Sequence, residues 1–398
     1  MRYWPRQLAE AFRRARQTFP AVLVTGPRQS GKTTFLRHEA ADCTYVTFDD
    51  PLQREFARED PRGFLLQFGS RPVVLDEVQY VPGLFSYLKM AIDRNPQVCG
   101  RFLMTGSQQF SMMKHISDSL AGRLAILELY PFCYRELRRP PESAAQALWQ
   151  GGYPPVCLQP EKRDFWFRAY VQSYLERDVR QLQNVRDLAL FETCLGLCAA
   201  RHGCVLNRAE MAREAGVSQP TIRGWISVLQ ASYVAYLLHP YYRNIGKRLA
   251  KAPKFFFLDS GLTAWLTRQP DPESMWRGPL GGALFEGWVV SEAVKTFAAL
   301  GQEPRVYFWR SHDGLEVDLL IEAGSRVHAV EVRQTATPRP GHVEGLMRWR
   351  AVAGADLIGE TLLVCTVPEM VRITRDVTAI PWHQFGSWLE SALRADGD

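Results

Sequence analysis

Short continuous apolar runs alternate along the chain with stretches of helical period, a pattern that predicts an α/β protein. Residues 20–25 (PAVLVT), 72–75 (PVVL) and 101–105 (RFLMT) read as short buried strands, and a helix begins at Thr34. Residues 165–187 follow a helical period rich in aromatics. Residues 208–215 and 219–230 read as two helices joined by Gly216-Val217-Ser218, the second with an apolar stripe of Ile222, Trp225, Ile226 and Leu229. Two aromatic strands follow at 233–238 and 254–258. A helix over 284–300, carrying Glu286 and Glu292, precedes strand-like runs at 306–309, 315–321 and 327–333. Pro- and Gly-rich passages at 138–155 and 267–282 read as boundaries. They divide the chain into a core at 1–137, a helical connector at 138–187, a third part at 188–267 and a C-terminal domain at 283–390.

Composition narrows the class. With 46% apolar and 23% charged residues, the 398-residue chain has the balance of a soluble globular protein. No apolar run reaches the ~18 residues of a membrane span, and no signal region opens the chain. A cytoplasmic protein with no membrane partner and eight reduced cysteines is expected. The net charge of +6 is compatible with nucleic acid but does not argue for it, because only a clustered excess steers a polyanion. Forty of the 48 basic residues are arginine, so one Arg where Lys is usual carries less meaning than elsewhere. Cys194, Cys198 and His202, four apart and close to Cys204, would share a helical face. Their spacing favours core residues interleaved with Leu195, Leu197 and Ala199 over a zinc site, which normally pairs tight Cys clusters from separate segments.

The first strand runs into Gly26-Pro27-Arg28-Gln29-Ser30-Gly31-Lys32-Thr33, with Thr34 opening the helix. Strand, glycine-rich loop and helix in this order make a P-loop. Gly26 and Gly31 let backbone N–H groups turn toward phosphate oxygens. Lys32 sets a point charge on the terminal phosphates of ATP, and the Thr33 hydroxyl completes Mg2+ coordination. The second strand ends in Asp76-Glu77, an apolar run closed by acids. Asp76 there holds the Mg2+ and Glu77 polarises the attacking water. The third strand ends in Gly106-Ser107-Gln108, where a small polar residue has access to the γ-phosphate.

GPRQSGKTT, VVLDEVQ, MTGSQQF and SLAGR followed by LELYPF resemble an AAA+ ATPase. More narrowly, the chain is similar to a prokaryotic AAA+ group that carries a C-terminal nuclease-like domain of unknown function. The resemblance implies Walker A roles for Lys32 and Thr33, Walker B roles for Asp76 and Glu77, and a sensor 1 role for Ser107. It also implies an arginine finger at Arg123, reaching into a neighbouring subunit of a homo-oligomer; the bland reading is a surface arginine at a helix end.

The paired helices of 208–230 have a helix-turn-helix arrangement, with Gln219, Thr221, Arg223 and Ser227 outward as side chains suited to a DNA major groove. Arg243, Lys247, Arg248 and Lys251 lie between the aromatic strands, so the segment reads as a winged helix with a charged wing. A solvated wing or a protein-contact module is the other reading. In the C-terminal domain, Asp318 lies in one strand, and Glu331 and Arg333 lie two apart on the next, facing the same way. This segment resembles the PD-(D/E)XK nuclease fold, which implies metal-ligand places for Asp318 and Glu331, with Glu286 as a helix-borne third acid. The usual lysine is replaced by Arg333, which keeps the charge but is larger and planar, and a fold used only for binding is the alternative. The combined expectation is a Mg2+-dependent ATPase partnered with DNA. The competing expectation is a non-catalytic nucleotide switch that binds a protein.

Overall fold

In the computed structural model, which describes residues 3–106, 120–175, 188–242 and 251–395, the three apolar runs of the N-terminal part form the centre of a parallel sheet. Its strands are β1 (Ala21–Thr25), β2 (Thr44–Thr47), β3 (Val73–Asp76), β4 (Phe102–Thr105) and β5 (Leu124–Glu128), in the order β2-β3-β4-β1-β5. Period-two alternation sends successive side chains to opposite faces. Ala21, Leu23, Leu75 and Met104 join one core with Phe64, Phe85 and Leu88. Val22, Val24, Val74 and Leu103 join another with Phe12, Phe35 and Leu36. A strand buried on both faces must be apolar throughout, which is why these three were legible as runs. The edge strands β2 and β5 are largely half-exposed and lack that signal.

The chain divides into two compact units. One comprises Met1–Phe132 with Ala231–Tyr233 and Ala298–Gln302, and the other Cys133–Gln230, Val234–Phe297 and Glu303–Asp398. Both passages read as boundaries from their Pro and Gly content lie inside the second unit. The first is held there by Asp259, whose buried carboxylate accepts from Gly152 N at 2.8 Å while capping the helix Ser260–Leu266 through Leu262 N at 2.8 Å.

Within the second unit the expected helix of 165–187 is found as Arg163–Tyr170 and a wider turn at Val171–Leu175; its remainder lies outside the described residues. The paired helices are Arg208–Ala215 and Gln219–Ala231. Asn207 caps the first by accepting from Glu210 N, and Gly216 at φ 67° ends it in the left-handed conformation that glycine adopts without strain. Ile222, Trp225, Ile226 and Leu229 are all buried, as their stripe predicts. An antiparallel pair follows, β6 (Ala235–Pro240) and β7 (Lys254–Phe257). The first begins two residues later than its apolar run because Tyr233 sits at φ 58°.

These two strands extend the sheet of the C-terminal segment. It contains β8 (Val306–Arg310), β9 (Glu316–Ala323), β10 (Arg326–Val332), β11 (Ile358–Cys365), β12 (Val371–Arg372) and β13 (Thr378–Pro381), ordered β12-β13-β11-β10-β9-β8-β6-β7. The join is parallel, with His239 opposite Tyr307 and Pro240 opposite Phe308. Residues expected in two separate domains therefore share one sheet. Among the described residues, no helix is long and apolar enough to cross a membrane.

Candidate functional site

Backbone geometry builds the P-loop. Gly26 sits at φ 139°, and a Cβ there would lie 2.3 Å from Leu129 O, so no other residue fits. Gly31 is left-handed at φ 96° and opens the helix Lys32–Glu39. Gln29 takes φ 63° without glycine's freedom, a local strain typical of binding loops. Pro27 and Ser30 are buried, Arg28 is half-buried, and Gln29 and Thr34 are exposed. The Lys32 ammonium donates to Gly26 O at 3.0 Å and Pro27 O at 2.8 Å, so it lies along the loop it is expected to serve. Arg6 supports the loop by donating to Ser30 O at 2.9 Å and Tyr130 O at 2.5 Å, with its guanidinium 4.7 Å from the Phe132 ring.

The end of β3 meets this loop. Thr33 Oγ1 donates to Asp76 Oδ1 at 2.9 Å, which brings together the two residues expected to hold Mg2+. Both offer hard oxygen donors, the chemistry that ion takes. Two residues given no role from sequence complete the setting. Tyr45 Oη on β2 donates to Asp76 Oδ2 at 2.6 Å, and Thr105 Oγ1 at the end of β4 donates to Asp76 Oδ1 at 2.5 Å. Burial and the neighbouring Asp76 push the Tyr45 phenol up to about 12, so it is a donor at any working pH. Thr105 Oγ1 also accepts from Glu77 N at 2.9 Å. Glu77 itself is left-handed at φ 58°, and its carboxylate accepts from Gln79 Nε2. Ser107 lies outside the described residues. Arg123 Nε donates to Asp93 Oδ1 at 2.6 Å and Nη1 to Ala121 O at 3.1 Å, contacts made within its own chain.

A second constellation gathers in the C-terminal sheet. The register that sets Val330 opposite Leu319 brings Asp318 beside Glu331, and Val332 N donates to Asp318 Oδ2 at 2.9 Å. Arg333 Nη1 reaches the same oxygen at 3.2 Å, and its Nη2 pairs with Glu331. Glu286, from the helix Gly281–Ala299, joins them, so the expected acids and the cation do form one cluster. Glu292 on that helix does not; its buried carboxylate accepts from Tyr134 N at 3.0 Å. Two members were not singled out from sequence. Glu316 lies two residues before Asp318 on β9, hence on the same face, a signal the E-V-D spacing carries. Lys254, at the head of β7, donates to Glu286 Oε1 at 2.8 Å and pairs with Glu316. Its signal was a lone lysine opening an otherwise all-phenylalanine strand.

Burial sets the electrostatics of this cluster. Glu331 is pushed up to about 9 and Glu286 to about 8, by desolvation first and then by the charge of Asp318. Desolvation alone would lower Lys254, but Glu286, Glu316 and Asp318 outweigh it and hold the ammonium charged. The candidate zinc set behaves differently. Cys194, Cys198 and His202 are buried in or against the apolar core, whereas Cys204 is exposed. Among the described residues, the three donors close enough to share an ion are Glu286, Glu316 and Asp318. Of the candidate DNA contacts, Gln219, Arg223 and Lys251 are exposed. Thr221 is half-buried and tied to Ser218 Oγ at 2.8 Å, and Arg243, Lys247 and Arg248 lie outside the described residues.

Comparison with known proteins assigns the N-terminal part to an AAA domain. Residues 18–138 match an AAA domain, 141–273 a domain of unknown function (DUF8612), and 281–385 another (DUF4143). Over 336 residues the chain is 34% identical to Uncharacterized protein Rv2008c of Mycobacterium tuberculosis, a match covering 84% of this chain and 74% of that protein. Uncharacterized protein Mb2031c of Mycobacterium bovis matches to the same extent. The chain belongs to their family, and its residues 18–138 form an AAA domain of the P-loop type. Among solved structures it is similar to the Walker-type ATPase of Pyrococcus abyssi, at 13% identity over 65% of this chain and 94% of that one, with a TM-score of 0.44. It is also similar to a RuvB variant of Thermotoga maritima, at 16% identity over 58% and 86% of the two chains, with a TM-score of 0.30. The AAA domain contains the P-loop, Asp76, Glu77 and Thr105, whereas Glu286, Glu316, Asp318, Glu331 and Arg333 fall in the DUF4143 region.

Proposed function

We propose that this AAA domain hydrolyses ATP with Mg2+ and that hydrolysis is coupled to DNA, held by a winged helix over 188–267. The observation that carries the reading is the contact of Thr33 with Asp76, one residue before Glu77, beneath a loop shaped by Gly26 and Gly31. With ATP bound, Lys32 leaves the loop carbonyls for the terminal phosphates, Thr33 and Asp76 hold Mg2+, and Glu77 orients the attacking water. The ion supplies charge neutralisation on the phosphates.

Support for DNA comes from the exposed Gln219 and Arg223 at the start of the second helix and from Lys251 beside β7. The C-terminal cluster is proposed as a PD-(D/E)XK-type phosphodiester site in which Asp318 and Glu286 hold a divalent ion, with the expected third acid Glu331 beside them but outside the set of oxygens close enough to share it. Its weak point as a nuclease is Arg333, a guanidinium already engaged by Asp318 and Glu331.

The test is ATP hydrolysis measured without DNA and with duplex or single-stranded DNA. Glu77→Gln is expected to bind nucleotide normally while hydrolysis falls by roughly 10²-fold. Lys32→Ala should lose both binding and turnover. Near-native hydrolysis by Glu77→Gln would overturn the site assignment. Hydrolysis unchanged by either DNA would overturn the coupling.

A further inference from the structure

Lys254 is one of only eight lysines in a chain with forty arginines, and its side chain is 5% exposed. It stands on a rigid base, because Phe255, Phe256 and Phe257 are all buried and the Phe308 ring lies 5.4 Å from its ammonium. From there the ammonium engages Glu286 and Glu316. Those two residues and Asp318 each present an oxygen within 4.8 Å of the others, a spread that a single divalent cation can bridge. The ammonium is therefore paired with two of the three carboxylates that such an ion would share.

We propose that Lys254 is a resident counter-ion, which keeps a divalent-cation site assembled when no ion is bound and yields Glu286 and Glu316 to the ion on binding. This rests on the phosphodiester-site reading above and adds Glu316 as a ligand and Lys254 as the exchanging group.

Charge and hydrogen bonding support it independently. Four carboxylates (Glu286, Glu316, Asp318 and Glu331) face two cations, Lys254 and Arg333. Glu331 is 2% exposed, yet its Oε2 has no hydrogen-bond partner, while its charge acts on those of Asp318, Glu286 and Glu316. A buried acceptor without a donor is costly. A purely structural ion-pair network would suit arginine, which supplies most ion pairs elsewhere among the described residues and binds carboxylates through a rigid fork. A compact ammonium on a flexible stem can withdraw, and once displaced it remains beside the ion as a positive charge for a phosphate. Arg333 cannot take that part while Asp318 and Glu331 hold it.

The test uses the full chain carrying Asp76→Asn, without nucleotide, so that the P-loop contributes no ion. Mn2+ binding is followed by calorimetry and by the resonance signal of free Mn2+. The parent is expected to bind one ion. Adding Lys254→Met should tighten binding about tenfold or more, because nothing must be displaced, and Glu316→Gln should weaken it about tenfold. Lys254→Met binding no tighter than the parent overturns the exchange, while one ion bound by the parent leaves the phosphodiester-site reading standing. No Mn2+ bound by the parent or by Lys254→Met up to roughly 10 mM overturns both. Lys254→Met should also unfold earlier in chelator and recover more on adding Mn2+ than the parent does. Lys254→Arg, which keeps the charge, should bind Mn2+ more weakly than the parent. If Lys254→Met does not recover in Mn2+ and Lys254→Arg binds at parental affinity, the ammonium is structural and the proposal fails.

Discussion

Thr105 shows how much of the ATPase site rests on a residue with no motif of its own. Its hydroxyl donates to Asp76 Oδ1 and accepts from Glu77 N, so a single buried oxygen fixes the Asp76 carboxylate and the left-handed backbone of the residue beside it. Thr105→Val preserves shape and removes both bonds, leaving an N–H and a carboxylate oxygen without that partner, a loss of ~1–3 kcal/mol. Hydrolysis should fall about tenfold, with a smaller change in ATP affinity because the loop residues are untouched. Thr105→Ser should retain most of the rate, and steady-state kinetics of the two variants decides the point. Lys32, Thr33, Asp76 and Glu77 were legible because phosphate and Mg2+ chemistry dictates their types and spacing. Thr105, Tyr45 and Lys254 were not, because each reaches its site from another strand and only the sheet order brings them together, whereas Glu316 shares β9 with Asp318 and its signal lay in the E-V-D spacing.

Legibility at the level of elements follows burial in the same way. The central strands β1, β3 and β4 carry unbroken apolar runs because both faces are covered, while β2 and β5 are edges with a diluted signal. The membership of β6 and β7 in the C-terminal sheet was invisible, since a parallel join of His239 and Pro240 to β8 leaves no local trace in sequence. His202 lies where this sheet meets the helices. Its Nδ1 accepts from Phe257 N at 3.2 Å, and a Cβ on Gly287 would come within 1.9 Å of its Nε2, so the neighbouring helix needs glycine there. Burial lowers its pKa to about 3. The unfolded chain takes up a proton near the ordinary value of about 6.5 while the folded chain does not, so His202 removes stability as pH falls from about 6.5 toward 3. The slope is at most ~1.4 kcal/mol per pH unit. His202→Gln retains an acceptor for Phe257 N without the proton, and the difference between its urea midpoint and that of the wild type should narrow or reverse in its favour between pH 7 and 4.5. A difference independent of pH would mean that His202 is not buried neutral.

For the molecule as a whole, the proposed ATPase site is either complete in one chain or shared between two. The family resemblance implies that Arg123 serves a neighbour's phosphate, and here its guanidinium is bonded to Asp93 and to Ala121 O of its own chain. These two roles predict different phenotypes. A finger must leave Asp93 to act, so Asp93→Ala should leave hydrolysis near wild type while Arg123→Ala lowers it by roughly 10³-fold, the scale of a lost arginine finger. If the Asp93 pair only steadies the loop before β5, the two variants should lose activity and stability alike, and modestly, because both side chains are about one-third exposed. Mixing supplies the decisive measurement. Glu77→Gln chains keep an intact Arg123, and Arg123→Ala chains keep an intact Glu77, so an oligomer containing both offers some interfaces where finger and site are each whole. Activity of the mixture above the sum of its parts, rising with total protein concentration, assigns Arg123 to the neighbour. A mixture that never exceeds that sum, under conditions where the subunits exchange, returns Arg123 to its contact with Asp93.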